Sequence, residues 1–149
     1  MAHRIAFLTM DTLEDFVCYD RLVIDVLKAR GTEVNEVSWR NRRADWGQYA
    51  AVVIRSPWDY QQAPEAFLET LEQIDRSGAV LHNSLATVRW NLRKTYLRDV
   101  EAAGATIVPT EWLASPSDAD LRNTFRSLQS DQVVVKPVVG ANADQAYWI

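Results

Sequence analysis

Short apolar runs without polar alternation constrain this chain before anything else. Ile5-Ala6-Phe7-Leu8, Ala50-Ala51-Val52-Val53-Ile54 and Ala79-Val80-Leu81 each predict a strand covered on both faces, the condition of a parallel sheet between helices. The strand over Arg4–Thr9 is followed by a polar loop, Met10 to Asp15. A helix whose apolar stripe is Leu22, Val23, Val26 and Leu27 then ends at Gly31. Val34, Val37 and Trp39 mark a second strand. Pro64 suits a first helical turn, Phe67, Leu68, Leu71 and Ile74 share one face, and Gly78 closes that helix. Two strand–helix–strand units in series predict an α/β fold, a small parallel-sheet domain over residues 1–83 with helices on both sides.

A second block, residues 84–149, reads differently. Helix is expected from Ser84 to Ala103, broken near Asn91 and ending at Gly104. A strand is expected from Ile107-Val108 past Pro109 to Trp112-Leu113. Ser117 is a candidate N-cap, with Asp118 and Asp120 in the first turn and Leu121, Phe125 and Leu128 on the buried side. A strand over Val133–Pro137 follows, and a last one, about Ala146–Ile149, has no partner after it. The block is too short to close its own core, so either the chain ends oddly or it is the front part of something longer.

Composition excludes several classes. The 149 residues carry 16 basic and 20 acidic side chains, a net charge of −4, which argues against bulk nucleic-acid binding. No apolar run approaches the roughly 20 residues of a membrane span, and the start is too short for a secretory signal. One cysteine, Cys18, excludes an internal disulfide and a multi-cysteine zinc site; two histidines, His3 and His82, exclude a histidine-rich one. A reducing, cytoplasmic setting is expected. The loop after the first strand lacks the glycines of a dinucleotide fingerprint, and no Walker loop, nucleophile elbow or His-Glu-x-x-His is present.

Three stretches carry candidate chemistry. Arg55-Ser56-Pro57-Trp58-Asp59-Tyr60 follows the strongest strand, and ligands of open α/β sheets gather at such carboxyl ends. In one reading Arg55 holds a carboxylate and Asp59 an ammonium; in the other Asp59 pairs with Arg55 while Trp58 and Tyr60 cover the core edge. Arg89, Arg93, Lys94 and Arg98 crowd four cations together, either a solvated face balanced by Asp99 and Glu101 or an anion site. Lys136 ends an apolar strand before Gly140-Ala141-Asn142-Ala143. It is either a lysine snorkelling from a strand end or the partner of a phosphate that the small residues admit. Arg40-Asn41-Arg42-Arg43 reads as an exposed basic loop, Cys18 as a small buried hydrophobe, His82 as a structural histidine, and the six tryptophans as packing.

Taken in order, Arg89-Trp90-Asn91-Leu92-Arg93-Lys94-Thr95-Tyr96-Leu97, Ala103-Gly104, Val108-Pro109-Thr110 and Val133-Val134-Val135-Lys136-Pro137 resemble the ATP-grasp superfamily of carboxylate–amine ligases. The Arg55–Tyr60 stretch resembles the subgroup related to glutathione synthetase and the cyclo-ligase of cycloserine biosynthesis. The resemblance implies a pre-ATP-grasp domain followed by the first, incomplete lobe of an ATP-grasp domain. It implies that Lys94 and Lys136 contact the phosphates of ATP, and that a loop with Gly140, Ala141 and Asn142 folds over them. It places an amino-acid-like substrate at Arg55, Trp58, Asp59 and Tyr60.

Arg93 stands where many relatives are acidic, the loop holds one glycine, and the adenine hinge and the acidic–Asn magnesium set find no match here. The expected parent activity is ATP- and magnesium-dependent carbon–nitrogen ligation through an acyl phosphate. No catalytic or metal-ligating residue is assigned, and the chain alone is expected to be inactive. Neither nucleic acid nor membrane is an expected partner; a homodimer is compatible. The alternative is a non-catalytic α/β module that binds a ligand or a partner chain.

Overall fold

The computed structural model describes residues 4–149, so His3 lies outside the described residues. The chain divides into two compact units, one up to Leu92 and one from Arg93 to Ile149.

The first unit is a four-stranded parallel sheet in the order β2-β1-β3-β4, with β1 at Arg4–Thr9, β2 at Glu33–Ser38, β3 at Ala51–Ser56 and β4 at Val80–His82. β1 and β3 lie inside, which is why their runs are apolar throughout. Alternation divides their side chains between two faces. Ala6, Leu8 and Val52 join the larger core with Phe67, Leu71 and Ile74 of helix α2 (Pro64–Arg76), whereas Phe7 joins Ile24 and Val34 on the other face. Leu8, Ile24, Val52, Leu71 and Ile74 are almost wholly buried, each stabilising the fold by roughly 1.5–3 kcal/mol relative to exposure. Pro64 opens α2, and Gly78 leaves it at a φ of +87°, where a side chain would be strained.

β1 and β3 run in register from Ile5 opposite Ala51 to Leu8 opposite Ile54, and then Thr9 faces Ser56. Arg55 is therefore an extra residue on β3, a bulge at the carboxyl end of the central strands. Bulges re-aim side chains beside sites.

Two expectations need correction here. Helix α1 (Asp20–Ala29) forms, but its buried residues are Asp20 and Ile24, and Leu22, Val23 and Val26 stand exposed. The helix rests on the sheet along Asp20, Ile24 and Leu27, leaving the expected stripe on its outer flank. The first compact unit runs to Leu92. Helix α3 (Leu85–Asn91), capped by Ser84, sets Leu85 and Val88 into the α2-side core. The predicted break near Asn91 then separates it from α4 (Tyr96–Ala102).

In the second unit no strand forms over residues 107–113, the second correction. The segment is instead tied down by side chains. Glu111 accepts hydrogen bonds from Thr124 Oγ1 (2.9 Å) and Ser127 Oγ of helix α5 (Asp118–Ser127), and Arg98 lies over the Trp112 ring. Ser117 caps α5 in a reciprocal capping box with Asp120, whose carboxyl is held below the usual range chiefly by the Ser117 hydroxyl. The strand expected over Val133–Pro137 is shorter, β5 at Val134–Val135. It pairs antiparallel with β6 (Tyr147–Trp148), so the closing strand finds its partner before it in sequence. Among the described residues no helix is long and apolar enough to cross a membrane.

Candidate functional site

The first unit carries a cavity of about 340 Å³ just beyond the carboxyl end of β3, lined in part by Arg55, Trp58, Tyr60, Phe67, Asn83 and Asn91. Three of the four predicted substrate residues therefore meet at one hollow with aromatic walls and a cationic corner. Burial raises the pKa of the Tyr60 phenol, so it stays protonated at neutral pH and keeps its donor. Its ring packs 5.5 Å from Phe67, and Trp58 packs 5.5 Å from Phe16.

Asp59 is placed differently. Its Oδ1 accepts from Trp39 Nε1 at 2.6 Å and its Oδ2 from Arg40 Nε at 2.7 Å, and it does not line the cavity. The expected Asp59–Arg55 pair does not form: Asp59 pairs with Arg40 and Arg55 with Asp20, while Trp58 and Tyr60 do pack against the core edge. Arg40 is correspondingly no exposed loop residue. Its guanidinium lies 4.1 Å from the centre of the Trp39 ring, while Arg42 and Arg43 remain exposed as expected. Cys18 is half-buried rather than buried, and His82, at the end of β4, is exposed. Tryptophans 39 and 46 do pack in the core, whereas Trp90 and Trp148 are exposed.

Asp20 is the residue that sequence reasoning missed. Nearly buried, its Oδ1 accepts from Arg55 Nε at 2.8 Å and Nη2 at 2.5 Å. Ser56 Oγ lies 3.3 Å from Asp20 Oδ2 and 3.0 Å from Thr9 Oγ1. An acidic residue after an apolar stretch, four positions before Ile24, was the available signal.

In the second unit Lys94 lies in the turn between α3 and α4. Its backbone N–H donates to the Val138 carbonyl at 2.8 Å and its Nζ to the Gly140 carbonyl at 3.0 Å. Main chain and side chain of one residue thus hold the stretch that follows β5. A Cβ on Gly140 would stand 2.9 Å from Pro137 Cγ and 3.4 Å from Lys94 Nζ, so glycine is what permits the approach. Burial first, and the nearby Lys136 charge second, lower the pKa of Lys94. The Lys136 charge thus acts on Lys94 beside a loop of small residues. Asn142 and Ala143 both adopt positive φ, as the central residues of a tight turn closed by the Asp144 N–H donating to the Ala141 carbonyl at 2.9 Å. The rest of the basic cluster disperses. Arg89 pairs with Glu72, whose pKa it lowers, and Arg98 covers Trp112. Among the described residues no group of three or more His, Cys, Asp or Glu is placed to hold a metal ion.

Comparison with known proteins gives consistent matches. Residues 5–83 match the family described as the N-terminal domain of D-cycloserine synthetase DcsG. Over 121 residues the chain is 30% identical to the cycloserine biosynthesis protein DcsG of Streptomyces lavendulae, covering 79% of this chain and 40% of that protein. The crystal structure of D-cycloserine synthetase DcsG superposes with a TM-score of 0.84 at 28% identity, over 97% of this chain and 50% of the other. A RimK domain ATP-grasp protein from Sphaerobacter thermophilus shares the fold, with a TM-score of 0.70 at 18% identity over 98% and 54% of the two chains. So does the ATP-grasp ligase PsnB, solved with minimal precursor, Mg and ADP, with a TM-score of 0.56 at 19% identity over 97% and 57%. The chain spans about half the length of these structures.

Proposed function

The chain belongs to the family of the D-cycloserine synthetase DcsG N-terminal domain, and on that premise we propose that it supplies the front part of an ATP-grasp ligase. The reaction is carbon–nitrogen ligation. A substrate carboxylate takes the terminal phosphoryl group of ATP, and an amine then displaces phosphate from the acyl phosphate. The observation that carries this reading is Lys94 beside Gly140, with the Lys136 charge near enough to lower its pKa.

Lys94 and Lys136 would offset charge on the polyphosphate, and the backbone of Gly140, Ala141 and Asn142 would approach it. In the first unit, Arg55 would hold the carboxylate of an amino-acid-like substrate while Trp58 and Tyr60 wall its apolar part; Asp59 supports Arg40. The described residues do not fit a magnesium ligand set, and the chain alone is proposed not to turn over. An ATP-consuming reaction suits the cytoplasm, where ATP is supplied.

The chain has three lysines, Lys28, Lys94 and Lys136, so lysine-selective ¹³C NMR resolves each. Titration with ATP, and with tripolyphosphate as its charge-bearing part, is expected to shift Lys94 and Lys136 but not Lys28. Lys94→Met should weaken either ligand at least tenfold. Equal shifts at all three lysines, or none, would remove the phosphate site. Binding confined to the Arg55 cavity would favour the ligand-binding module instead.

A further inference from the structure

We propose that Asp20 is the positioning residue for Arg55, holding one edge of its guanidinium so that the other meets a substrate carboxylate. The inference rests on the reading of the Arg55 cavity as the substrate site. Arg55 has five N–H donors in a rigid plane. Nε and Nη2 both donate to one oxygen of Asp20, and among the described residues Nη1 makes no bond. Arg55 is among the residues that border the cavity, and its side chain is 40% exposed, whereas that of Asp20 is 5% exposed. The guanidinium also lies 5.5 Å from the centre of the Phe7 ring, so an aromatic face and a carboxylate together limit its rotation.

Why the acid is there follows from the backbone. The bulge at Arg55 brings Ser56 opposite Thr9, and their hydroxyls meet at 3.0 Å. Ser56 Oγ also lies 3.3 Å from the second oxygen of Asp20, so the carboxylate is held from β3 and from its own place at the start of α1. A buried carboxylate is costly without a cation, and Arg55 supplies one without being drawn into the core. Long arginine side chains lose much rotamer freedom when they bind a ligand. A guanidinium already fixed by two bonds loses less, and that difference appears as affinity.

The test uses ¹⁵N-labelled chain, with the Arg55 Nε–Hε resonance assigned by its loss in Arg55→Lys. Alanine is titrated beside ethylamine, which lacks the carboxylate. In the unsubstituted chain the resonance should stand apart from those of exposed arginines, and alanine should perturb it while ethylamine does not. Asp20→Asn should return it to the exposed position and weaken alanine about tenfold, with the melting temperature little changed. If both the resonance and the alanine affinity survive Asp20→Asn, Asp20 does not position Arg55, and the cavity reading stands without it. If the unsubstituted chain fails to distinguish alanine from ethylamine, the substrate-site reading falls and this one with it. Should Asp20→Asn not fold, Ser56→Ala removes only the Ser56 hydroxyl. A displaced resonance and a several-fold weaker alanine would support the role, and unchanged values would overturn it.

Discussion

Lys94 Nζ donates to the Gly140 carbonyl oxygen at 3.0 Å, while the main chain of the same lysine holds Val138. This is the tightest tie between the turn after α3 and the loop after β5, and it has consequences for titration and for substitution.

The first is pH dependence. Burial and then Lys136 lower the Lys94 pKa below the ordinary 10.5, so between those two values the unfolded chain holds a proton that the folded chain has released. Stability contributed here rises with pH across that window. Tyr60 and Tyr49 work oppositely. Burial raises both from 10.0, so their share of stability falls as pH climbs above about 10. Urea midpoints measured from pH 8 to 10.5 for the unsubstituted chain and Lys94→Met should differ in slope, with the variant losing the rising component below pH 10.

Gly140→Ala places a methyl group against the Pro137 ring and close to Lys94 Nζ. The ring can pucker, so the cost should fall near the low end for overpacking, about 1 kcal/mol in urea denaturation. The same variant should bring the Lys94 NMR titration closer to that of Lys28, because the loop is pushed away from the ammonium.

Asp59 accepts from the buried Trp39 indole and from Arg40. Asp59→Ala leaves that indole N–H unpaired, and a loss of about 1–3 kcal/mol is expected by denaturant unfolding. Asp59→Asn keeps an acceptor and should lose less. Alanine titrated into the cavity should bind both variants within about twofold of the unsubstituted chain; a tenfold loss would show Asp59 acting on ligand after all.

Along α1 the two sides should answer oppositely. Ile24 is 1% exposed, and Ile24→Ala should cost about 2–5 kcal/mol. Leu22 and Val23 are exposed, so Leu22→Ala and Val23→Ala should change stability by no more than about 0.5 kcal/mol. Thermal melts of the three variants check this directly.

The parallel sheet was legible because β1 and β3, shielded on both faces, need apolar residues at every position, and such runs have few other uses. The burial direction of α1 was not. Leu22, Val23, Val26 and Leu27 make as good a stripe as Asp20, Ile24 and Leu27, and the choice is settled by Arg55, 35 positions away. The bulge at Arg55 leaves no mark in residue type. Asp59 had two arginines within reach and took Arg40, which only the fold could decide. The stretch 107–113 has the β-branched residues of a strand, but without a neighbour to bond it lies extended against α5. Lys94 and Lys136 stand out in the sequence through their flanking motifs; the contact of Lys94 with the Gly140 carbonyl was hidden, because it depends on a close approach of main chain.

Because β1 and β3 are the inner strands, with β2 and β4 outside them, the groups that would meet a ligand grow from the part of the sheet slowest to exchange its amide hydrogens. Residues 57–63 can then diversify, altering the walls of the hollow, while the anchor beneath stays as it is. A lineage could change what it accepts at that end of the sheet without reopening the question of how the chain folds.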